Sequence, residues 1–595
     1  MLKIKKYLLF VLFWIVFGRT GTVMFSKRPN DLVSALLMAK GLLPSTASKD
    51  EAIVKEQDAR TFYLDSIPYW TSQTYNRSIW GVGLADITGD GYPEVITVYE
   101  GWYNYLYLNN SGVIEDTPSW QSNDMGFHIS PAFGDLDNDG DLDMAVATYY
   151  LPGGRSKVYR NDNGILTRDP VWIASSGGGT SGEWCDFDND GDLDWSIVDI
   201  FASPMIFRNN NGILENSPCW TGIDGYLDFG CAWLDIDNDG DLDFAVGAIN
   251  EQYPLVRVYY NRNGALETEA SWRSQVMAGD LIAIGLAVAD ANKDGWLDLG
   301  VSCGFVDTNY NVVFMNLHDS LESNPSWISN DASVSGFSIF GDLNNDSYLD
   351  WAVNNGDVGS CYENINGNLN PSYTWHSATV TGGLGIDLGD VDQDGVVYRE
   401  DTIIADGTKK LFYLSIIPVQ KIERITINGD SVPLTGYCCN LKSGWVSFRD
   451  SIPAGSQLIF KYYYSLDMDL LLSDYYNGEA HLFKNNVGVG IFERASKPMA
   501  ISLLVYPNPF TEKIEIRPRF QEEQLTVNGK RSTVSLKIYD ATGRLVKRFN
   551  HLTNYKLSIM WDGTDDFGRK LPTGVYLVQL DTGVFKQTEK VILLR

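Results

Sequence analysis

The stretch Asp135-Leu136-Asp137-Asn138-Asp139-Gly140-Asp141-Leu142-Asp143 recurs along this chain and decides its fold. Near-identical copies begin at Asp186 and Asp235. Looser copies complete the series, and they begin at Asp86, Asp290, Asp342 and Asp390. Successive first aspartates lie 48 to 55 residues apart. Such a fixed period over seven copies indicates a repeat architecture.

Tryptophan provides a second marker with the same period. The tryptophans in phase with the aspartate loops are Trp70, Trp120, Trp172, Trp220, Trp272, Trp327 and Trp375. Most of them close a segment of the kind N-x-x-G-x-L-x-x-x-P-x-W, such as Asn209 to Trp220. We expect these tryptophans to pack between repeats, as large aromatic side chains do in cores.

Each repeat of about fifty residues contains four short apolar runs. In the second repeat these runs are Ile129–Phe133, Met144–Thr148, Lys157–Arg160 and Ile165–Trp172. Four strands per unit at this period are typical of a propeller blade. The sequence therefore predicts an all-β fold, a seven-bladed β-propeller whose blades occupy residues 61–395 and are completed further downstream.

The spacing of the aspartates predicts calcium loops. With the first aspartate as position 1, positions 1, 3 and 5 place oxygen side chains inside one tight turn. Glycine at position 6 permits the bend, position 7 offers a carbonyl and position 9 a further carboxylate. An EF-hand is excluded because position 12 is a threonine or an aliphatic residue inside a strand-like run, not a glutamate. A turn without metal remains an alternative, above all for the looser copies.

The predicted ligands of up to seven Ca²⁺ ions come from every loop. They are Asp86, Asp90 and Glu94; Asp135, Asp137, Asp139 and Asp143; Asp186, Asp188, Asp190 and Asp194; Asp235, Asp237, Asp239 and Asp243; Asp290, Asn292, Asp294 and Asp298; Asp342, Asn344, Asp346 and Asp350; and Asp390, Asp392, Asp394 and Asp469. Loops with fewer carboxylates should bind calcium more weakly. Those loops carry Thr88, Asn292 or Asn344 at position 3.

The seventh loop is predicted to be interrupted by an insertion. It starts correctly at Asp390, but position 9 is Tyr398, which cannot bind calcium as a carboxylate does. The missing half reappears at Asp469, six residues before Tyr475, as Asp143 stands six residues before Tyr149. Residues 396–466 would then form a small inserted β module, and residues 467–495 would complete the seventh blade.

Ring closure should use the beginning of the propeller sequence. Trp70 ends a blade-like pattern although no blade precedes it. We therefore expect Phe62–Trp70 to supply the outer strand of the seventh blade, which leaves no open sheet edge.

These loops and their period resemble FG-GAP/VCBS-type repeats over about residues 60–490. Such repeats form the calcium-loop propellers of integrin α-subunit heads, some fungal lectins and many exported bacterial proteins. The resemblance implies extracellular binding or adhesion and does not identify a ligand.

The last 95 residues have a different composition. From Ile501 onward 15 Lys+Arg face 10 Asp+Glu, whereas the whole chain has a net charge of -30. Strand-like runs between turns predict a small antiparallel sandwich over 501–595. The motifs Tyr506-Pro-Asn-Pro-Phe510, Trp561-Asp-Gly563 and Leu571-Pro-Thr-Gly-Val-Tyr576 resemble FlgD-Ig-like and type IX secretion C-terminal sorting domains. That resemblance implies partnership with an outer-membrane secretion machinery and a place on, or release from, the surface of a Gram-negative-type bacterium. A structural Ig-like module is the alternative.

The N-terminus predicts export. Lys3, Lys5 and Lys6 precede an apolar run from Tyr7 to Phe17, which is typical of a signal peptide, assigned here to residues 1–22. Eleven residues span only about 16 Å as a helix, so the mature chain should have no transmembrane anchor. Residues 23–60 should be a linker with a helix at most. The strongly acidic chain excludes nucleic acid as a partner.

The sequence predicts a binding module and not an enzyme. Its five histidines show no metalloprotease spacing, and no nucleophile motif or phosphate loop is present. A polysaccharide lyase or glycoside hydrolase remains the first alternative and a structural surface spacer the second. We expect an extracellular glycan or protein ligand on the face opposite the calcium loops. The aromatic residues expected there are Trp102, Tyr103, Tyr149, Tyr150, Phe201, Tyr253, Tyr475 and Tyr476.

Overall fold

The computed structural model describes two parts of the chain. The first covers residues 62–487 except 74, 76, 150–153, 226, 250–252, 279–280, 305–308, 333 and 380. The second covers residues 502–594 except 507–512, 520–525, 528–529, 532–534, 541–543, 550–558 and 582–585. They belong to two compact units, 1–490 and 491–595. The predicted signal peptide and linker lie outside the described residues.

In the first unit, groups of four antiparallel strands repeat with one strand order, and the first two groups are joined into a single eight-stranded sheet. A two-residue strand, β1 (Trp70–Thr71), precedes them. Blade 1 contains β2 (Ile79–Ala85), β3 (Glu94–Trp102), β4 (Tyr105–Tyr107) and β5 (Trp120–Gln121). Blade 2 contains β6 (Gly126–Gly134), β7 (Asp143–Thr148), β8 (Lys157–Tyr159) and β9 (Trp172–Ile173). Blade 3 contains β10 (Ser181–Cys185), β11 (Asp194–Val198), β12 (Met205–Phe207) and β13 (Trp220–Thr221).

The remaining sheets repeat this order. Blade 4 contains β14 (Asp228–Leu234), β15 (Asp243–Ala248), β16 (Val256–Tyr259) and β17 (Trp272–Arg273). Blade 5 contains β18 (Ala283–Ala289), β19 (Asp298–Cys303), β20 (Tyr310–Phe314) and β21 (Trp327–Ala332). Blade 6 contains β22 (Ser335–Gly341), β23 (Asp350–Asn355), β24 (Gly359–Tyr362) and β25 (Trp375–His376). The last begins with β26 (Gly382–Gly389). This repetition is that of an all-β propeller.

The inserted segment forms two small sheets. Its elements are β27 (Val396–Ile404), β28 (Leu411–Tyr413), β29 (Val419–Ile427), β30 (Asp430–Ser431), a 3-10 turn (Leu434–Gly436), β31 (Tyr437–Asn440), β32 (Trp445–Phe448) and β33 (Gln457–Ser465). One sheet has the order β27-β33-β29-β30 and the other β28-β32-β31. Side chains from both, among them Phe412, Phe448 and Phe460, share one core. Val396 pairs with Ser465, so the segment leaves and re-enters the propeller at one point.

Blade 7 is completed by chain from both sides of this insertion. Its strands β34 (Asp469–Asp474) and β35 (Glu479–Phe483) follow the module, and its sheet has the order β1-β35-β34-β26. The outer strand is β1, with Trp70 opposite Leu482. The Phe62–Trp70 segment closes the ring as expected, but its strand is limited to Trp70, and the amides of Asp65 and Tyr69 bond separately to the carbonyls of Lys484 and Leu482.

The seven period-setting tryptophans link each blade to the next. Each indole donates a hydrogen bond to a backbone carbonyl of the neighbouring blade. The donor and acceptor pairs are Trp70 with Glu115, Trp120 with Leu166, Trp172 with Glu215, Trp220 with Leu266, Trp272 with Leu321, Trp327 with Leu369 and Trp375 with Leu64, all at 2.8 to 3.3 Å. The series returns to its start because Leu64 and Trp70 both belong to the closing segment.

The outer strand of blade 2 is shorter than the sequence predicted. In blade 2 the strand expected over Ile165–Trp172 is only Trp172–Ile173. The preceding residues form a tight turn, closed by an isolated bridge between Asn161 and Leu166. Asn163 and Gly164 both have positive φ in this turn, which suits asparagine and glycine.

The described part of the second unit contains three sheets, two of which share one core. Its strands are β36 (Ser502–Tyr506), β37 (Ile514–Arg519), β38 (Thr526–Val527), β39 (Lys530–Arg531), β40 (Ser535–Asp540), β41 (Leu545–Phe549), β42 (Ile559–Trp561), β43 (Gly574–Asp581) and β44 (Lys586–Leu593). The sheet β36-β37-β42 and the sheet β41-β40-β43-β44 both contribute to the core, with Trp561 from the first and Tyr576 from the second.

Candidate metal centres

All seven aspartate loops lie at the same end of the blades, between the first and second strands. In each blade the residue before position 1 pairs with position 9, as Gly134 pairs with Asp143. In blade 7 the same pairing joins Gly389 to Asp469 across the insertion. The structure thus places Asp469 at the position-9 register that the other six loops share.

The backbone of each loop is shaped by its position-1 carboxylate. In blade 2 Asp135 accepts hydrogen bonds from the amides of Asp139 and Gly140, at 3.0 and 2.9 Å. Asn138 and Gly140 have positive φ, so the chain turns sharply around that carboxylate. The same two bonds recur around Asp186, Asp235, Asp290 and Asp342.

The position-9 carboxylate joins the loop to the third strand. In blade 4 one oxygen of Asp243 accepts from the Ile236 amide at 2.9 Å and the other from the Asn261 amide at 2.8 Å. Equivalent pairs of bonds hold Glu94, Asp143, Asp194, Asp298, Asp350 and Asp469. Position 9 therefore has a structural role that is independent of any ion.

A series of asparagines fastens each loop to another blade, and the sequence analysis did not identify it. Asn261 donates its side-chain amide to the carbonyl of Phe187 in the blade 3 loop and to that of Leu242 in its own loop. The corresponding residues are Asn109, Asn161, Asn209, Asn316, Asn364 and Asn485. The signal was present in the sequence, because each opens the N-x-x-G-x-L-like segment or its shortened blade 7 counterpart.

Four loops bring three carboxylates within 4.8 Å of one another. The groups are Asp135, Asp137 and Asp143; Asp186, Asp188 and Asp194; Asp235, Asp237 and Asp239; and Asp390, Asp392 and Asp394. One oxygen each of Asp137, Asp188 and Asp237 is buried without a hydrogen-bond partner. Converging carboxylates with buried free oxygens suit a hard cation such as Ca²⁺. Asp139 and Asp190 lie at position 5 of the first two loops.

The other three loops carry fewer charges. Asn292 and Asn344 stand at position 3 in blades 5 and 6, and their side-chain oxygens accept from the position-5 amides of Asp294 and Asp346. These loops also contain Asp290 and Asp298, and Asp342 and Asp350. In blade 1 Thr88 donates to Glu94, and the loop is completed by Asp86 and Asp90.

Two groups that the sequence analysis did not include lie at the blade 7 loop, one within the loop and the other directly after β35. Asp467 lies two residues before Asp469. If the loop is counted across the insertion, with Asp469 at position 9, Asp467 stands at position 7. Lys484 is ion-paired with Asp392 and lies 3.3 Å from Asp394. Burial and the nearby Asp394 raise the pKa of Asp467 to about 9. The ammonium group of Lys484 therefore lies beside the carboxylates of the blade 7 loop.

Burial raises the pKa of the carboxyl groups that converge in the loops. It raises the pKa of Asp135 to about 6 and that of Asp186 to about 7, and their neighbouring aspartates add to the shift. At position 9 burial raises the pKa of Asp143 to about 8 and brings that of Asp243 well above its usual range. Without a cation these groups resist ionisation because their charges would be poorly solvated and mutually repulsive.

The inserted module covers the loops of blades 3 and 4. The guanidinium of Arg449 is ion-paired with Asp192, and Lys410 donates to the carbonyl of Asn189 at 2.9 Å. The hydroxyl of Tyr413 accepts from the amide of Asp235 at 3.1 Å. The loop end of the propeller is thus partly occupied by the chain itself.

A cavity of about 390 Å³ lies between the inner strands and the module. Glu183 and Asp387 both line it, and Lys442 is ion-paired with Asp387. Burial raises the pKa of Glu183 to about 8. The two carboxyl groups therefore differ, because one has a cationic partner and the other is held towards its neutral form.

Two groups of aromatic residues from blades 1 and 7 lie at the opposite end of the blades, one formed by Trp80, Tyr475 and Tyr476 and the other by Trp102 and Tyr103. We call Trp80, Trp102, Tyr103, Tyr475 and Tyr476 the aromatic patch. Trp80 and Tyr475 meet edge to face at 5.4 Å, and both donate hydrogen bonds to Glu100, at 3.3 and 3.2 Å.

The sequence analysis expected four of these five residues and missed Trp80. Trp80 lies at the start of β2, where an inner-strand pattern masks it. The other expected residues are spread more widely: Tyr149 and Phe201 are in contact with each other, Tyr253 lies beside Arg257, and Tyr150 is outside the described residues.

Comparison with protein families finds a matching segment in each part of the chain. Residues 86–146 and 235–301 match the FG-GAP-like repeat, and residues 504–594 match the secretion system C-terminal sorting domain. The sorting domain indicates export and surface attachment in bacteria of the Bacteroidetes type, with handling by the type IX secretion machinery. Among the described residues no helix is long and apolar enough to cross a membrane.

Comparison with individual proteins gives only distant likenesses. No curated protein matches the chain. Among solved structures, BBS1N bound to ARL6DN is 11% identical with a TM-score of 0.40, covering 71% of this chain and 97% of that one. A lectin of Agrocybe aegerita that recognises non-reducing terminal N-acetylglucosamine is 16% identical (TM-score 0.36; 52% and 83% covered). PorZ of Porphyromonas gingivalis, a surface component of the type IX secretion system, is 13% identical (0.21; 87% and 75%). These scores are too low to support a conclusion about function.

Proposed function

We propose that the chain is an exported, calcium-stabilised, seven-bladed propeller that binds an extracellular glycan through the aromatic patch. The proposal is supported by the FG-GAP-like repeats, by the acidic loops and by the sorting domain. Its second unit would have an Ig-like fold. The observation that carries the ligand site is that the two ends of the propeller differ: the inserted module covers part of the loop end, and the other end bears aromatic side chains.

Calcium would act here as a structural ion. Asp137, Asp188 and Asp237 each offer a buried oxygen without a partner, and positions 1 and 5 supply further oxygens in the same loop. A bound ion would neutralise carboxylates that otherwise repel one another, and so hold the loops at one end of the blades. The loops of blades 1, 5 and 6 would bind more weakly because they have fewer carboxylates.

The aromatic patch has the chemistry of a sugar site. Tyr476 is 45% exposed, and Arg77 lies 4.5 Å above the ring of Trp102. Flat aromatic faces suit the apolar faces of sugar rings, and the carboxyl group of Glu100 adds a polar group at the base of the patch. Burial raises the pKa of Glu100, and the hydrogen bonds that its carboxyl group accepts from Trp80 and Tyr475 oppose that rise.

A glycan array tests this function directly. The calcium-loaded full chain is expected to bind a restricted set of glycans, and Trp102→Ala and Tyr476→Ala should each weaken binding about tenfold, or ~1.4 kcal/mol. Tyr398→Ala is the matched control, because Tyr398 is equally exposed but lies on the inserted module. The proposed site is wrong if both patch variants bind normally. If the chain binds a protein but no glycan, its ligand is a protein. If it binds neither, the result favours a structural spacer.

The sorting function has a separate test in the native host. Removal of residues 501–595 should leave a folded propeller that is no longer displayed, because the two parts are separate compact units. Surface labelling of cells that express each form measures this. Normal display of the shortened chain would mean that residues 501–595 are only structural.

A further inference from the structure

We propose that Asp474, Glu479 and His481 form a site for a divalent transition-metal ion of the zinc class. These residues lie in blade 7, at the end opposite the aspartate loops. One ligand atom from each lies within 4.8 Å of the other two. The site is distinct from the calcium loops because it includes an imidazole nitrogen, which zinc-class ions prefer and calcium does not.

The strand register produces this cluster. Asp474 lies directly opposite Glu479 across the β34–β35 pair, and His481 follows two residues later on the same face of β35. Two carboxylates directly opposite each other repel and destabilise a hairpin. A positive charge between them removes that repulsion.

The imidazole of His481 is prepared for a metal. His481 is 3% exposed, and its Nε2 atom is buried without a hydrogen-bond partner. That nitrogen lies 3.6 Å from Asp474 and 3.9 Å from Glu479, which is too long for hydrogen bonds. Two ligands of one tetrahedral zinc ion lie roughly 3.3 Å apart, so small movements would seat the ion.

The other nitrogen of His481 is held by the closing strand. Thr71 lies opposite His481 in the β1–β35 register, and its hydroxyl is 3.1 Å from Nδ1. A hydroxyl that accepts the Nδ1 proton leaves the lone pair of Nε2 directed at the two carboxylates. Metal-binding histidines are oriented in this way by a second hydrogen bond. Thr71 is thus a positioning residue.

The remaining groups around Asp474 support a ligand role. Its Oδ1 accepts from the amides of Tyr476 and Asn477, at 2.9 and 3.1 Å, which fixes the carboxylate plane. The side-chain amide of Asn477 donates to Oδ2 at 2.6 Å and leaves that oxygen a further lone pair.

In blades 2 and 4 the third-strand position equivalent to His481 is occupied by a positively charged residue. Lys157 pairs with Val146, and Arg257 pairs with Val246, as His481 pairs with Leu472. Arg257 forms a buried ion pair with Asp228 at 2.8 Å. A metal ion would supply in blade 7 the charge that a permanent cation supplies in blade 4.

Zinc titration of the calcium-saturated full chain tests the site. Excess Ca²⁺ keeps the aspartate loops occupied. A calorimetric titration of this sample with Zn²⁺ should therefore show one zinc ion bound per chain. Co²⁺ in place of zinc should give the visible absorption of a low-symmetry nitrogen and oxygen site. His481→Gln should weaken zinc binding at least a hundredfold and leave calcium binding unchanged. Thr71→Val should weaken it about tenfold and shift the Co²⁺ spectrum.

Two further variants keep the test decisive. Glu479→Gln retains the size of a half-exposed side chain, so it tests the site if His481→Gln does not fold; it should lower zinc affinity at least tenfold. His376→Gln is the matched control, because His376 is exposed on the outer strand of blade 6 and should bind normally. Equal zinc binding by the unchanged chain and the Glu479→Gln chain overturns the proposal. The proposal is also wrong if the unchanged chain binds no zinc ion, in which case His481 would only form ion pairs with Asp474 and Glu479.

Discussion

The loops of blades 3 and 4 differ from those of blades 5 and 6 in three properties that change together. Asp186 and Asp235 are 0% and 3% exposed, whereas Asp290 and Asp342 are half-buried. Position 3 is aspartate in the first pair of loops and asparagine in the second. The inserted module contacts blades 3 and 4 through Lys409, Lys410, Tyr413 and Arg449.

Charge balance explains why these properties occur together. A buried loop with four or five aspartates needs more positive charge than one proposed calcium ion would bring, and the module supplies lysine and arginine there. At position 7 the covered loops have Asp192 and Asp241, each bonded to an asparagine of the preceding loop, whereas the open loops have Trp296 and Tyr348. The loops of blades 3 and 4 thus form a connected acidic surface, and the lysine and arginine side chains of the inserted module lie over it; we call these side chains the lid.

Chelation should produce the largest effect and separate the two kinds of loop. Each site held at a hundredfold its dissociation constant contributes about 2.7 kcal/mol to the free energy of unfolding. Titration with a chelator should remove calcium from the open loops first and from blades 3 and 4 last. Differential scanning calorimetry with calcium analysis measures both, and an unchanged melting temperature in excess chelator would disprove the calcium role.

The melting temperature of the chelated protein should fall as pH rises from 5 to 8. Aspartate in the unfolded chain has a pKa near 3.9, whereas burial raises the pKa of Asp186 and Asp235 to about 7 in the folded chain. A raised folded pKa stabilises the protein below the unfolded value, and that contribution is lost as pH passes the folded value. Calcium should remove this slope. A chelated protein that becomes more stable over this range would contradict the expected sign.

Exchange of the residue at position 3 should bring the calcium affinity of the blade 4 loop and that of the blade 5 loop closer together. Asp237→Asn in blade 4 removes a carboxylate with a buried free oxygen and should weaken calcium binding there about tenfold, or ~1.4 kcal/mol. Asn292→Asp in blade 5 should strengthen binding by a similar factor. Calorimetric calcium titrations measure each, with the unchanged chain as the reference. If both variants bind like it, carboxylate number does not explain the difference.

Loss of the module's contacts should have the smallest effect. Arg449→Ala removes the partner of the buried Asp192 but leaves the core of the module intact, so a cost of about 1 kcal/mol is expected for this partly exposed side chain. Hydrogen exchange should accelerate in β32 and in the blade 3 loop. Arg424→Ala, an exposed arginine on β29, is the control. Equal exchange in both variants would mean that Arg449 does not hold the module down.

The repeat, the loops and the split seventh loop could be predicted because their signals are local and periodic. The three carboxylates lie within nine residues of one another, so backbone geometry alone brings Asp135, Asp137 and Asp143 together. Asp469 could be matched to Asp390 because the motif resumes in phase after the insertion. The motifs of the C-terminal unit are equally local, and the family match over 504–594 bears out the sorting domain.

Only the tertiary structure decided what lies across from each motif. The lid over blades 3 and 4 joins residues more than 170 positions apart, as Lys409 and Asn238 are. Trp80 joins the aromatic patch through Tyr475, and Thr71 reaches His481 across 410 positions. These contacts join side chains from different blades, from the inserted module and a blade, or from β1 and β35 of blade 7, and the spacing of residues along the chain does not show which of those side chains meet. The sequence by itself determined the repeated unit and its acidic loops; the closed ring determined which charges and aromatic rings face one another.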